Sequence, residues 1–149
     1  MIKTLSSALS LGILVAGCTG ARPMNLGIHD GKLAPCPATS NCVSSQSNDK
    51  DHAVEPIPFS GTSAETMADL KKVLSGMPRA RTVTATETYL HAEFTSALFR
   101  FVDDVEFWLD ESARTIHLRS ASRVGYSDLG VNRKRIESLT VAMKSLHPK

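Results

Sequence analysis

The sequence predicts a two-layer α+β domain: an antiparallel sheet of about four strands carries two helices on one face, preceded by a disulfide-pinned N-terminal loop. Three observations carry that expectation. A capped amphipathic segment around residues 62–77 is followed by β-type runs from 81 to 122, and a second amphipathic segment spans about 132–146. No helical pattern separates the β-type runs, so consecutive strands must connect through short turns, which antiparallel pairing permits and parallel pairing does not. Length sets the scale: 149 residues, 42% hydrophobic, can bury one modest core.

The N-terminal residues read as an address. MIK is a short basic region, and LSSALSLGILVAG is an apolar run too short to span a bilayer. It ends in Val15-Ala16-Gly17-Cys18, which resembles a bacterial lipobox. Small residues before the cysteine admit the chain to the peptidase cleft, and the Cys18 thiol would carry a diacylglyceryl group. An ordinary leader cut after Ala16 or Gly17 is the alternative. The lipobox reading divides the chain into a leader over 1–17, a tether over 18–35 and a single α+β domain over 36–149. Several acyl chains on one residue would make a membrane anchor at Cys18 effectively permanent. Thr19 rather than Asp after the cysteine points to an outer-membrane lipoprotein facing the periplasm.

With Cys18 given to lipid, Cys36 and Cys42 remain in a compartment that favours disulfides. Their bridge would close the loop CPATSNC and contribute about 2 kcal/mol on chain-entropy grounds. A metal site adding His29 and His52 would need a zinc-like spacing, which these residues lack. A redox pair would place two residues between the thiols, not five. No metal or cofactor is expected. From Cys36 to Ser60 the chain is polar and turn-rich, an ordered loop that packs Ile57 and Phe59 on the core.

Thr62 with Glu65 three residues later forms a capping box, and Met67, Leu70, Leu74 and Met77 follow at helical spacing until Gly76 and Pro78 stop the helix. RTVTATE (81–87) is a β-branched alternating run. YLHAEFTS puts Leu90, Ala92 and Phe94 on one face and Tyr89, His91 and Glu93 on the other. In SALFRFVDDVEFWLD, Phe99, Phe101, Val105, Phe107 and Leu109 share one parity, while Arg100, Asp104, Glu106 and Trp108 share the other. RTIHLRSAS (114–122) turns Ile116 and Leu118 inward and His117 and Arg119 outward, after a hairpin loop at Asp110–Ala113. Ile136, Leu139, Met143 and Leu146 form the stripe of the last helix. The sheet face away from the helices should be polar and at least partly wet.

Three phrases carry a family resemblance: RPMNLGIHDGKLAPCPATSNCVSSQ (22–46), FRFVDDVEFWLD (99–110) and RSASRVGYSDLGVNRKRIE (119–137). Together they resemble the domain-of-unknown-function family 1499, over nearly the whole chain after the leader. The resemblance implies a shared fold and a shared set of polar residues. It implies no activity.

The net charge of +2 gives no global field for nucleic acid, which is not expected as a partner. Charge is instead segregated: acids crowd 103–111 and bases crowd 119–135. A helix N-terminus is already positive, so Arg133, Lys134 and Arg135 at its opening are each unfavourable by about 0.3–1 kcal/mol unless compensated. One compensation is internal, through Asp103, Asp104 and Glu106. Asp103 shares parity with Phe99, Phe101 and Val105, so either it points inward and needs a cation or a bulge at 103–104 resets the alternation. Arg123 or Arg133 could satisfy it with a bidentate fork. The other compensation is external: an anionic small molecule or an envelope protein, oriented by Tyr126 and Asp128 beside a helix capped by Asn132. The candidate binding set is therefore Arg123, Tyr126, Asp128, Asn132, Arg133, Arg135, Asp103 and Asp104.

Catalytic candidates are Ser44, Ser45, Ser120 or Ser122 as nucleophile, His91 or His117 as base, and Asp104 or Glu106 as orienter. No Gly-x-Ser-x-Gly elbow accompanies them, and histidines at outward strand positions are more commonly just exposed. Trp108 on the polar face could stack on a sugar, a lipid or a partner. The leading expectation is a lipid-anchored, non-catalytic envelope protein that binds an anionic ligand or partner at the basic loop–helix corner. A small envelope hydrolase and a purely structural interaction protein are the alternatives.

Overall fold

A computed structural model describes residues 19–147; the segment expected to be a leader (1–17) and the expected lipid site Cys18 lie outside the described residues. Four strands form a meander, β3 (Ala80–Ala85), β4 (Tyr89–Thr95), β5 (Val102–Asp110) and β6 (Thr115–Ser122), with each neighbour antiparallel. Two short strands from the segment read as loop, β1 (Cys42–Ser44) and β2 (Ile57–Pro58), add to the free edge of β6. The sheet thus has six strands rather than about four, in the order β1-β6-β5-β4-β3 with β2 also on β6. Runs of three and two residues are too short for alternation to register in a sequence. What makes them strands is the row of unpaired amides and carbonyls along β6.

Helix α1 (Ser63–Gly76) starts on the expected capping box: the Thr62 side chain accepts from the Glu65 amide, and the Glu65 carboxylate accepts from the Thr62 amide at 2.8 Å. Met77 leaves helical geometry and Pro78 prevents its return. Helix α2 (Val131–Leu146) packs beside α1 on the same sheet face. Leu70, Leu74, Ile136, Leu139 and Met143 meet Leu90, Ala92, Val105, Phe107, Leu109, Ile116 and Leu118 in one core. Burying side chains of this size contributes about 1.5–3 kcal/mol each. The Cys36–Cys42 disulfide has a Cα separation of 5.6 Å and staples the entry to β1. It also removes both thiols from any metal set with His29 and His52.

The opposite sheet face departs from expectation. It is polar and stays wet at its β3 edge, where Arg81 is exposed, but its centre is covered: residues 22–33 run across it, and Leu33 at the end of this segment is buried. His91, expected exposed, is only 3% accessible, and Glu106 is at 0%. Alternation reported which side chains leave the helix layer. It could not report that a remote segment would return to cover them.

Candidate functional site

Alternation on three adjacent strands lines up the charged face in cross-strand rows. Glu93 stands opposite Asp104, His91 opposite Glu106 and Arg119, and Tyr89 opposite Trp108 and His117. Arg123, just past β6, lies over the first row. It grips Asp104 with a fork, Nε at 2.8 Å and Nη2 at 2.7 Å, and its Nη2 also reaches Glu93 at 2.6 Å. Arg22 and Arg81 complete the shell of Glu93 at 2.7 and 2.6 Å. His91 Nε2 is 2.8 Å from Asp104.

Burial alone would raise the Glu93 carboxyl; the hydrogen bonds from Arg22, Arg123 and Arg81 override it and bring it down to about 2. Asp104 is lowered by the same contest, with Arg123 and His91 outweighing burial. Arg123 is in turn raised, first by its hydrogen bond to Asp104. His91, Glu93 and Asp104 bring ligand-type atoms within 4.8 Å of one another. Arg123 already occupies the space between the two carboxylates, so a guanidinium stands where a cation would sit.

In the second row Glu106 accepts from the Tyr89 hydroxyl at 2.8 Å, from the Gly27 amide at 2.7 Å and from Arg119 at 3.4 Å. Burial, then the Glu106 charge, pushes the Tyr89 hydroxyl well above the usual phenol range, so it stays a donor. Arg119 Nε is the sole buried side-chain polar atom lacking a partner among the described residues. The third row stacks Trp108 on His117 with 5.1 Å between ring centroids, and Gly31 passes close to the indole.

The loop–helix corner answers the question of the misplaced cations. The β5 register runs unbroken from Asp103 to Asp110, so no bulge intervenes and Asp103 faces the helix layer. Its partner is Arg135 at 2.5 Å, not Arg123 or Arg133. One helical turn brings residue 135 over the sheet, whereas 133 faces the other way. Arg133 donates instead to the carbonyls of Ala53 and Asp51, both at 2.8 Å. Arg135 also lies over the Phe94 ring at 4.6 Å.

Asn132 is not the cap. Gly130 holds that position in the left-handed conformation, and Asp128 satisfies the first turn by accepting from the Gly130 and Asn132 amides at 2.9 and 2.7 Å. Asn132 is buried instead and ties the N-terminal half to the C-terminal half: its amide nitrogen donates to the Asn41 carbonyl and to Ser122, while its oxygen accepts from Ser120 and Arg135. Tyr126, the remaining member of the expected set, is exposed.

Of the catalytic candidates, the fold joins Ser45 and His117, with Asp110 rather than the expected Asp104 or Glu106 as the carboxylate nearest the histidine. Ser45 Oγ lies 3.4 Å from His117 Nδ1, and His117 Nε2 lies 4.0 Å from Asp110. Burial pulls His117 below its usual value, partly offset by Asp110. Ser44 and Ser120 are buried, and His91 pairs with Asp104 rather than with a serine. Sequence reasoning missed Glu93, Arg22 and Arg81. Glu93 was visible only as an outward strand residue and Arg81 only as the start of an alternating run, and Arg22 is 71 residues from Glu93, with no local signal for the contact.

These features define a disulfide-stapled α+β domain whose charged sheet face is sealed by its own N-terminal segment. The chain belongs to the DUF1499 family, described as a protein of unknown function, whose sequence model matches residues 32–143. No curated protein matches it.

Proposed function

We propose that this chain is a lipid-anchored, non-catalytic protein of the bacterial cell envelope that engages its partner at the loop–helix end of the sheet. The carrying observation is where the corner's cations go. Arg123, Arg133 and Arg135 are consumed by Asp104, Glu93, Asp103 and two backbone carbonyls. An external small anion would have to displace partners already held at hydrogen-bond distance. What the corner offers outward is Tyr126, Leu129, Val131 and Lys134, a surface suited to a broad partner. The Val15-Ala16-Gly17-Cys18 motif supplies the anchor.

Intact-mass spectrometry of the protein extracted from envelope membranes tests the anchor. The expected species begins at Cys18 and carries a diacylglyceryl group, and Cys18→Ala should lose membrane association. A mature chain with a free Cys18 thiol contradicts the anchoring.

A second reading, a serine hydrolase, draws on the Ser45–His117–Asp110 trio. Two features weigh against it. Ser45 Oγ already accepts from the Leu118 amide at 2.9 Å, and the Ser45 and Gln46 amides donate to Leu118 and Ser44, which leaves no local amide pair for an oxyanion. A fluorophosphonate probe decides: no labelling is expected, and labelling abolished by Ser45→Ala would favour the hydrolase.

A further inference from the structure

The end of the sheet where β4 turns into β5 and β6 leads into α2 carries an apolar rim in solvent. Leu98, 79% exposed, and Phe99 occupy the 96–101 turn, where Phe99 stacks on Phe101. Beside them the 123–131 loop displays Tyr126, Leu129 and Val131, with Leu129 88% exposed. The loops form one surface, because the Arg123 amide donates to the Val102 carbonyl at 3.1 Å at the base of both. None of these side chains belongs to the core, so packing does not require them to be apolar. Leu129 even holds a left-handed φ of 54°, where a bulky L residue is sterically costly and glycine or asparagine would sit freely.

Two further observations indicate what the rim faces. The first is charge. Arg100 lies within the turn, Arg79 bonds the Thr95 carbonyl just before it, and Lys134 is on the first turn of α2; all three are exposed. The acids of this end are spent: Glu93, Asp103 and Asp104 on arginines, Asp128 on helix amides. The second is the route of the chain. A Cβ on Gly20 would meet Arg123 Cβ at 2.7 Å and Val124 Cγ1 at 2.9 Å, so the N-terminal segment enters the domain at this same end. Cys18 is two residues further up the chain, at most about 7 Å of extended backbone.

We propose that this rim is a membrane-docking face. Leu98, Phe99 and Leu129 enter the headgroup–acyl boundary of a phospholipid leaflet, Tyr126 sits at headgroup level, and Arg79, Arg100 and Lys134 meet anionic phosphates. The domain then stands in one orientation on the bilayer instead of swinging on its anchor, with α1 and α2 directed away along the normal of the sheet end. The proposal rests on the reading of Cys18 as a lipid anchor, since that anchor makes the contact intramolecular, and it names the bilayer as the broad partner of the loop–helix end.

The test supplies the tether chemically. The mature chain, residues 18–149, is coupled through Cys18, the thiol left free by the Cys36–Cys42 bridge, to maleimide lipid in vesicles of phosphatidylethanolamine and phosphatidylglycerol. In Leu98→Trp and Leu129→Trp, the introduced indole should shift to the blue and be quenched by brominated acyl chains, while native Trp108 is unaffected. Without the tether, Leu98→Ser/Phe99→Ser/Leu129→Ser should partition onto the same vesicles roughly tenfold less, with an unchanged melting temperature. Absence of quenching at both rim positions overturns the proposal, as does equal partitioning of the triple variant. Concentration-dependent shielding of the rim indoles without lipid would assign the face to a second copy and also overturn it. Because the tether is synthetic, a free Cys18 in the native protein would remove the natural anchor alone, and a lipidated Cys18 with unquenched indoles would remove the docking face alone.

Discussion

The sheet face and the loop end of this molecule invert the ordinary distribution of polarity. Glu93, Asp104, Glu106 and Arg119 are buried beneath residues 22–33, while Leu98, Phe99, Tyr126 and Leu129 stand in solvent. The contrast separates two kinds of residue. The buried charges of this face persist because Glu93, Asp104 and Glu106 each have at least two donors; removing one member leaves its partner desolvated and under-compensated. The rim residues pack against little, so changing them should alter what the surface binds and leave the fold alone.

The contrast breaks most sharply at Arg123. Arg123→Ala strips the fork from Asp104 and one donor from Glu93, and should destabilise the fold by about 3–5 kcal/mol. Arg123→Lys should recover only part, since an ammonium cannot make the fork. Thermal unfolding checks both, and a wild-type melting temperature for the alanine variant would show that the network is not under strain of burial.

Next comes the other sheet face. Arg135→Ala strands Asp103 and gives up the Phe94 contact, an expected loss of about 3 kcal/mol, much of it restored by adding Asp103→Asn. A double-mutant cycle by denaturant unfolding measures the coupling. Arg133→Ala, which surrenders only two bonds to carbonyls, should cost about 1–2 kcal/mol.

Acid sensitivity follows from the same network. Glu93 and Asp104 lie below their ordinary values, so their contribution is complete above the unfolded values of 4.5 and 3.8 and is lost as pH falls, for Glu93 through about 2. His117 is also depressed, so its neutral form favours the fold above 6.5 and stability declines as pH drops beneath that value. Melting temperatures between pH 7 and 2 should therefore show a shallow early decline and a steeper late one. Glu93→Gln should flatten the late part.

The smallest effect sharpens the contrast from the other side. Leu129→Gly relieves a left-handed leucine and should leave stability equal or raise it by up to about 1 kcal/mol, while weakening vesicle association. A clear loss of stability in chemical denaturation would mean that Leu129 serves the fold after all.

Much of the architecture was legible in local pattern. Thr62 and Glu65 announced α1, alternation from 81 to 122 announced the meander, and the expected pairing of Cys36 with Cys42 is present. The parity of Asp103 allowed two outcomes, an inward carboxylate needing a cation or a bulge at 103–104, and the unbroken register takes the first. The partner of Asp103 was not legible. Arg123, Arg133 and Arg135 are chemically equivalent in a sequence, and choosing among them requires the rotation of α2 relative to β5. Asn132 likewise looked like a cap, because Asp128 and Gly130, which do the capping, are set by the loop's three-dimensional path.

The sequence by itself determined the helices, the order of the long strands, the disulfide and which side chains leave the apolar layer. Each depends on residues a few positions apart, where period and covalent chemistry suffice. Only the tertiary structure decided that β1 and β2 join the sheet, that residues 22–33 close over the charged face, and that two loops and the incoming N-terminal segment share one end. Those outcomes depend on groups that are tens of residues apart meeting in space, and neither periodicity nor composition carries that information.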